Sequence, residues 1–186
     1  RDAPECPVMN GPIGLPQPCA LISGMGEASL VVESPLGPLL LRSTDEGATA
    51  LLFDAPRGVA QEGSSAARGH INRLAREVRA YFARELRNFE TPLAPRGTEF
   101  QQRVWNELLR IPLGETITYG ELARRIGNPA ASRAVGAANG ANQLAIVVPC
   151  HRVIHSGGRL HGYAGGVDRK ARLLEHERAM APLYAC

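Results

Sequence analysis

Val148-Pro149-Cys150-His151-Arg152-Val153 sets a thiol beside an imidazole, between an apolar run and a glycine-rich loop. A free thiol has a pKa near ~8.5, so only a few per cent is thiolate at neutral pH. A neighbouring histidine that takes the proton, directly or through one water, raises that fraction on demand. The histidine then needs an orienter on its other ring nitrogen, a task a carboxylate performs. A cysteine in an apolar run is ordinarily an inert core residue. Here the surroundings point elsewhere. Leu144 to Val148 reads as a buried strand or apolar approach that Pro149 ends, and Ser156-Gly157-Gly158, Gly162 and Gly165-Gly166 offer backbone that something flat can approach closely.

On the C-terminal side, Asp168 to Arg178 reads as a helix with Leu173 and Leu174 inward. Glu175 and Glu177 both lie on it but, at about 100° per residue, point to nearly opposite sides, so only one can face the imidazole. On the N-terminal side, Tyr119 to Ile126 and Ser132 to Asn139 form two short helices joined by Gly127-Asn128-Pro129-Ala130, a helix-turn-helix pattern. Ala134, Ala137 and Ala138 make the second helix slim enough for a groove. Thr98-Glu99-Phe100-Gln101 is a capping-box pattern opening a helix whose Phe100, Val104, Trp105, Leu108 and Leu109 read as core. Pro112-Leu113-Gly114 stops it, and Thr116-Ile117-Thr118 is a short extended piece.

Upstream, the pattern changes class. Leu30 to Val32, Pro38 to Ser43 and Ala50 to Phe53, with turns at Ser34-Pro35-Leu36-Gly37 and Asp45-Glu46-Gly47, predict a three-stranded meander. Residues 54–69 read as a Gly/Ala/Ser-rich loop. His70 to Arg87 carries Ile71, Leu74, Val78, Phe82 and Leu86 at helical spacing, predicting a helix that covers the meander with its arginines in solvent. Asn88 to Gly97, with Pro92 and Pro95, reads as a linker. The expected organisation is a proline-rich, poorly ordered extension over 1–26, an α/β domain over 27–91 and a mostly helical domain over 92–186.

Composition narrows the classes. The 186 residues suffice for a normal core, and no stretch reads as a membrane span or secretory signal. Cys6, Cys19, Cys150 and Cys186 lack paired metal-ligand spacing, so neither a disulfide framework nor a zinc site is expected, and a reducing compartment fits. Residues 98–186 carry 11 basic and 7 acidic side chains against 10 and 11 in residues 1–97, which confines the positive excess to the half holding the Cys-His pair. All but Lys170 of those 21 basic residues are arginine, suited to phosphate.

The second half resembles the O6-alkylguanine-DNA alkyltransferases (methylated-DNA–protein-cysteine methyltransferases). The likeness rests on Gly97-Thr98-Glu99-Phe100-Gln101 through Val104-Trp105, Ile111-Pro112-Leu113-Gly114, Tyr119-Gly120, Arg133-Ala134-Val135-Gly136, Asn139 and Asn142, Pro149-Cys150-His151-Arg152-Val153-Ile154, and Gly162-Tyr163-Ala164-Gly165-Gly166 through Lys170 to Leu173-Leu174. The Ser34 to Gly37 turn and Tyr81-Phe82 extend it, more loosely, over the first domain.

The resemblance implies an α/β fold, with a ribonuclease H-like three-stranded sheet and covering helix, followed by a winged-helix-like domain with the helix-turn-helix. It implies stoichiometric, irreversible transfer of an alkyl group from O6-alkylguanine, and O4-alkylthymine, in double-stranded DNA to Cys150. His151 would activate the thiol through a water and Glu177 would orient the imidazole. Asn142 would tie the helix-turn-helix to the active-site loop, Arg133 would fill the space of the flipped nucleotide, and Tyr119 would help rotate the nucleotide and hydrogen-bond the base. Ser132, Ala134, Ala138 and Arg152 join Arg133 and Tyr119 as expected DNA contacts. Tyr163, Ala164, Gly165, Gly166, Val153, Lys170 and Trp105 are the expected pocket. No cofactor or metal, no membrane and no obligatory protein partner are expected. A monomer would work in the bacterial cytoplasm or the eukaryotic nucleus.

Gln143, Leu113 and Ala164 depart from the common pattern; the last removes a hydroxyl and bears on alkyl-group tolerance. Two rivals share these residues. A cysteine hydrolase would use the same thiol, imidazole and carboxylate but leaves the Arg-bearing helix-turn-helix without purpose. A DNA-binding regulator would keep Cys150 as a structural residue or a sensing switch and would bind undamaged DNA sequence-selectively; a relative that binds lesions without repairing them lacks the cysteine, and Cys150 is present here.

Overall fold

The computed structural model describes residues 26–56, 63–158, 160 and 162–181. The expectations for residues 1–25, including Cys6 and Cys19, and for Cys186 lie outside the described residues.

The three-stranded meander forms as the apolar runs and turns predict. Strands β1 (Ala28–Val32), β2 (Leu39–Thr44) and β3 (Gly47–Phe53) make one antiparallel sheet in sequence order. Their register sets Leu30 opposite Leu41 and Leu41 opposite Leu51. The first turn is closed by Gly37 N donating to Ser34 O at 3.0 Å, with Gly37 at φ 98, a conformation that suits glycine. Helix α1 (Ser65–Phe82) covers the sheet through Ile71, Leu74 and Val78, all fully buried. Each such side chain contributes about 1.5–3 kcal/mol.

Two boundaries differ from the sequence reading. The helix starts inside the expected loop, at Ser65, because Ser64 caps it by accepting from Ala67 N at 3.0 Å. It ends at Phe82, short of Arg87, because Arg84 turns left-handed at φ 65 and breaks the ladder.

The free edge of β3 is covered. Ala48 N donates to Pro92 O at 2.7 Å and Ala94 N to Ala48 O at 2.8 Å, so the proline-rich connection is a packed edge. Further along, Leu51 N donates to Gln143 O at 2.8 Å and Ala145 N to Leu51 O at 3.1 Å. Leu144 thus makes one parallel bridge to Leu51, and the stretch to Val148 is buried but runs through turns, so of the two expected forms it is the apolar approach and not the strand. Ile146 at φ 71 interrupts extended backbone there. These contacts seat the segment leading to Cys150 against the sheet.

The rest is helical: α2 (Glu99–Leu108), α3 (Tyr119–Arg125), α4 (Ser132–Gly140) and α5 (Val167–Arg178), with β4 (Ile117–Thr118) and β5 (Val153–Ile154) pairing in parallel. The capping box opens α2, with Thr98 N donating to Gln101 Oε1 at 2.8 Å and Gln101 N to Thr98 Oγ1 at 3.3 Å. Trp105 is buried and donates from Nε1 to Ala138 O at 2.9 Å, which locks α2 to α4. One continuous apolar core joins the sheet and the helices. Among the described residues no helix is long and apolar enough to cross a membrane.

Candidate active site

Pro149, at φ −81, feeds a 3₁₀ turn over Cys150–Arg152, and β5 follows by pairing with β4. This turn sinks three adjacent polar side chains at once: Cys150, His151 and Arg152 are all buried. Their partners arrive from three directions.

From α5 comes Glu177, fully buried, while Glu175 on the other side is exposed. Glu177 Oε1 accepts from His151 Nε2 at 2.9 Å, Arg152 Nη2 at 2.9 Å and the Tyr81 hydroxyl at 3.0 Å; Oε2 accepts from Arg152 Nε at 2.8 Å. Burial pulls the carboxyl pKa up, but the His151 and Arg152 hydrogen bonds outweigh it and hold Glu177 well below the usual carboxylate range. An ionised carboxylate only accepts, so the proton on Nε2 belongs to His151 and its Nδ1 carries the lone pair. That Nδ1 is buried and accepts from no described group. Burial also lowers the His151 pKa, against the pull of Glu177, which keeps the ring neutral and fit to take a proton.

The helix-turn-helix supplies the second direction. Asn142, just past α4, donates from Nδ2 to Cys150 Sγ at 3.0 Å and to Val148 O at 2.8 Å, while its Oδ1 accepts from Leu144 N at 3.0 Å. Asn139 Nδ2 donates to Cys150 O at 3.3 Å, a tie to which the sequence reading gave no role. Burial pushes the Cys150 thiol up, and the Asn142 bond and the Lys170 charge oppose this. The thiol therefore rests protonated beside a base, to be activated when a substrate arrives. Burial and the nearby Cys150 raise the Tyr119 phenol, leaving it a neutral donor.

The third direction is the loop before α5. With the end of β3 it encloses a cavity of about 270 Å³ lined by Cys150, Asn142, Asn139, Tyr163, Ala164 and Gly165, with Phe53 also on its wall. A larger hollow of about 480 Å³, by Arg42, Asp45 and Arg96, lies away from the thiol and has no comparable set of reactive groups.

Several expected site residues lie elsewhere. Arg152, expected on DNA, is spent on Glu177 and on Ile111 O, because two buried opposite charges must pair. Ala138, also expected on DNA, faces the core; Arg133, Ala134 and Ala137 are the exposed face of α4, and Ser132 is half-exposed. Trp105 is core, not pocket. Val153 is fully buried in β5, where its carbonyl accepts from Lys170 Nζ at 2.6 Å, so both back the site without lining the cavity. Gly166 caps α5 at φ 89 and is not part of the lining. Arg133 has no hydrogen bond or ion pair among the described residues, whereas Arg124 and Arg125 both pair with Glu121.

A thiol, its base and an orienting carboxylate sunk beneath a helix-turn-helix define a cysteine-nucleophile protein built on a DNA-binding lobe. Comparison with known proteins agrees. Residues 29–95 match the ribonuclease-like domain, and residues 99–179 the DNA binding domain, of 6-O-methylguanine DNA methyltransferase. A methylated-DNA–protein-cysteine methyltransferase of Methanosarcina acetivorans is 50% identical over 149 residues, covering 79% of this chain and 96% of its own. One of Mycobacterium bovis is 47% identical over 152 residues, covering 81% and 92%. The crystal structure of the Mycobacterium tuberculosis OGT in complex with DNA is similar at 47% identity and TM-score 0.72, covering 82% of this chain and 94% of that one. The chain belongs to the 6-O-methylguanine DNA methyltransferase family.

Proposed function

We propose that this protein repairs O6-alkylguanine in double-stranded DNA by moving the alkyl group to its own Cys150. The observation that carries the reading is a buried thiol at the floor of a cavity, bonded to Asn142 from the DNA-binding lobe and next to a His151 whose tautomer Glu177 fixes.

The target oxygen is out of reach inside a stacked duplex, so the nucleotide must rotate out at a cost of a few kcal/mol. Arg133, exposed on the slim face of α4, enters the space left behind and offsets part of that cost. As the nucleotide seats, the thiol proton passes to His151 Nδ1 across one bridging water. The thiolate attacks the alkyl carbon in line: the S–C bond forms, the C–O6 bond breaks, and its electron pair leaves on the purine oxygen. The Tyr119 phenol hydrogen-bonds the developing anion. The purine takes up one proton, so thiol plus O6-alkylguanine becomes thioether plus guanine.

A thioether, unlike a thioester, is not hydrolysed, and each molecule reacts once. Titrating the protein with excess O6-methylguanine duplex tests this: removal should stop at one lesion per protein, and continued turnover without added reagents would overturn the reading.

A further inference from the structure

The cavity wall supplied by the sheet takes no part in the steps above. Phe53 ends β3, and Asp54 after it adopts left-handed backbone at φ 57, which swings its carboxylate toward α5. Arg169 meets it there, Nη1 donating to Asp54 Oδ2 at 2.8 Å and to Gly165 O at 3.2 Å, and Nε to Leu36 O at 3.2 Å. So anchored, the guanidinium lies over Phe53, 4.9 Å from the ring centroid. The Tyr163 ring meets Phe53 edge-on at 6.0 Å. Gly165 lets the ring sit flush on the loop, since a Cβ there would come within 2.7 Å of it. Phe53 is therefore a fixed aromatic surface on the cavity that holds Cys150.

Part of the remaining wall is of the opposite character. Gly140, Ala145, Gly162, Ala164 and Gly165 line that part with little side-chain bulk. A methyl group on O6 leaves that space unfilled, whereas a planar ring attached there packs against Phe53.

We infer that Phe53 is a specificity-determining residue that favours aryl-bearing O6 substituents over methyl, an inference that rests on the alkyl-transfer reading. The test is the single-turnover rate with O6-benzylguanine and with O6-methylguanine, each in the same duplex, for the unaltered protein, Phe53→Leu and Phe53→Ala. Phe53→Ala should lower the benzyl-to-methyl ratio about tenfold, equivalent to ~1.4 kcal/mol and within the range of an aromatic pair. Phe53→Leu, which keeps an apolar side chain against the loop, should lower it in the same direction and decides the matter if the alanine variant does not fold. A ratio unchanged or raised in the folded variants overturns the role of Phe53 and leaves alkyl transfer standing. An unaltered protein that transfers neither group overturns the underlying reading instead.

Discussion

Replacing Glu177 by Gln changes one oxygen to nitrogen at the most heavily bonded carboxylate of the site. All its partners are donors: His151 Nε2, the Tyr81 hydroxyl and two nitrogens of Arg152. Whichever way the amide turns, its NH2 faces a donor, and Arg152 loses the only acidic partner it has among the described residues. Leaving one member of a buried ion pair uncompensated costs about 3–5 kcal/mol, which for a chain of this size lowers Tm by about 6–20 °C. The pH dependence has a definite sign. Glu177 titrates below its unfolded value, so its stabilisation is complete above the ordinary glutamate pKa of ~4.3 and is lost as pH falls through and below it. Thermal melts of the unaltered protein, Glu177→Gln and Glu175→Gln at pH 7 and near pH 3.5 are the assay, where ~3.5 lies just below that ordinary value. The gap between the unaltered protein and Glu177→Gln should be wide at pH 7 and narrower in acid, with Glu175→Gln close to the unaltered protein throughout. Alkyl transfer should also slow, by about 10²–10⁴-fold, because His151 loses its fixed tautomer. A Glu177→Gln protein as stable as its parent at pH 7, or a larger loss in Glu175→Gln, would refute the reasoning.

Two further substitutions separate the remaining roles. Arg133→Ala should slow repair in duplex DNA about tenfold or more, because flipping costs a few kcal/mol, and leave the reaction with free O6-benzylguanine nearly unchanged; equal losses on both substrates would remove the wedge role. Asn142→Ala deletes the 3.0 Å donor to Sγ, so the thiol pKa should rise further and the thiolate fraction at pH 7 fall about tenfold or more. The pH profile of iodoacetamide capture of Cys150 should move to higher pH, and an unmoved profile would contradict that bond's role.

What the sequence disclosed followed the range of the interaction. The Cys-His dipeptide, the capping box at Thr98 and the opposite facing of Glu175 and Glu177 are local, and adjacent residues or a helical period carry them. Arg152 shows the limit: beside a nucleophile in a basic half it reads as a phosphate contact, and only the long-range meeting with α5 reveals it as the counter-ion of Glu177. Ala137 is exposed and Ala138 buried, because one residue on a helix is about 100° of rotation and separates a groove-facing position from core. The first turn of α1 was hidden because Ala66, Ala67 and Gly69 carry no strong period. Nothing local announces that Tyr81 reaches Glu177 or that Phe53 lines the cavity, since 96 residues separate the first pair and the second depends on how the sheet meets the loop.

The most direct test of the central claim is intact mass followed by peptide mapping, after the protein is incubated with an oligonucleotide containing O6-methylguanine. The account predicts one added methyl group, carried by the Cys150 peptide, with guanine restored in the DNA. An unchanged mass from protein whose Cys150 is reduced at the start, or a methyl group on any other residue, would contradict it.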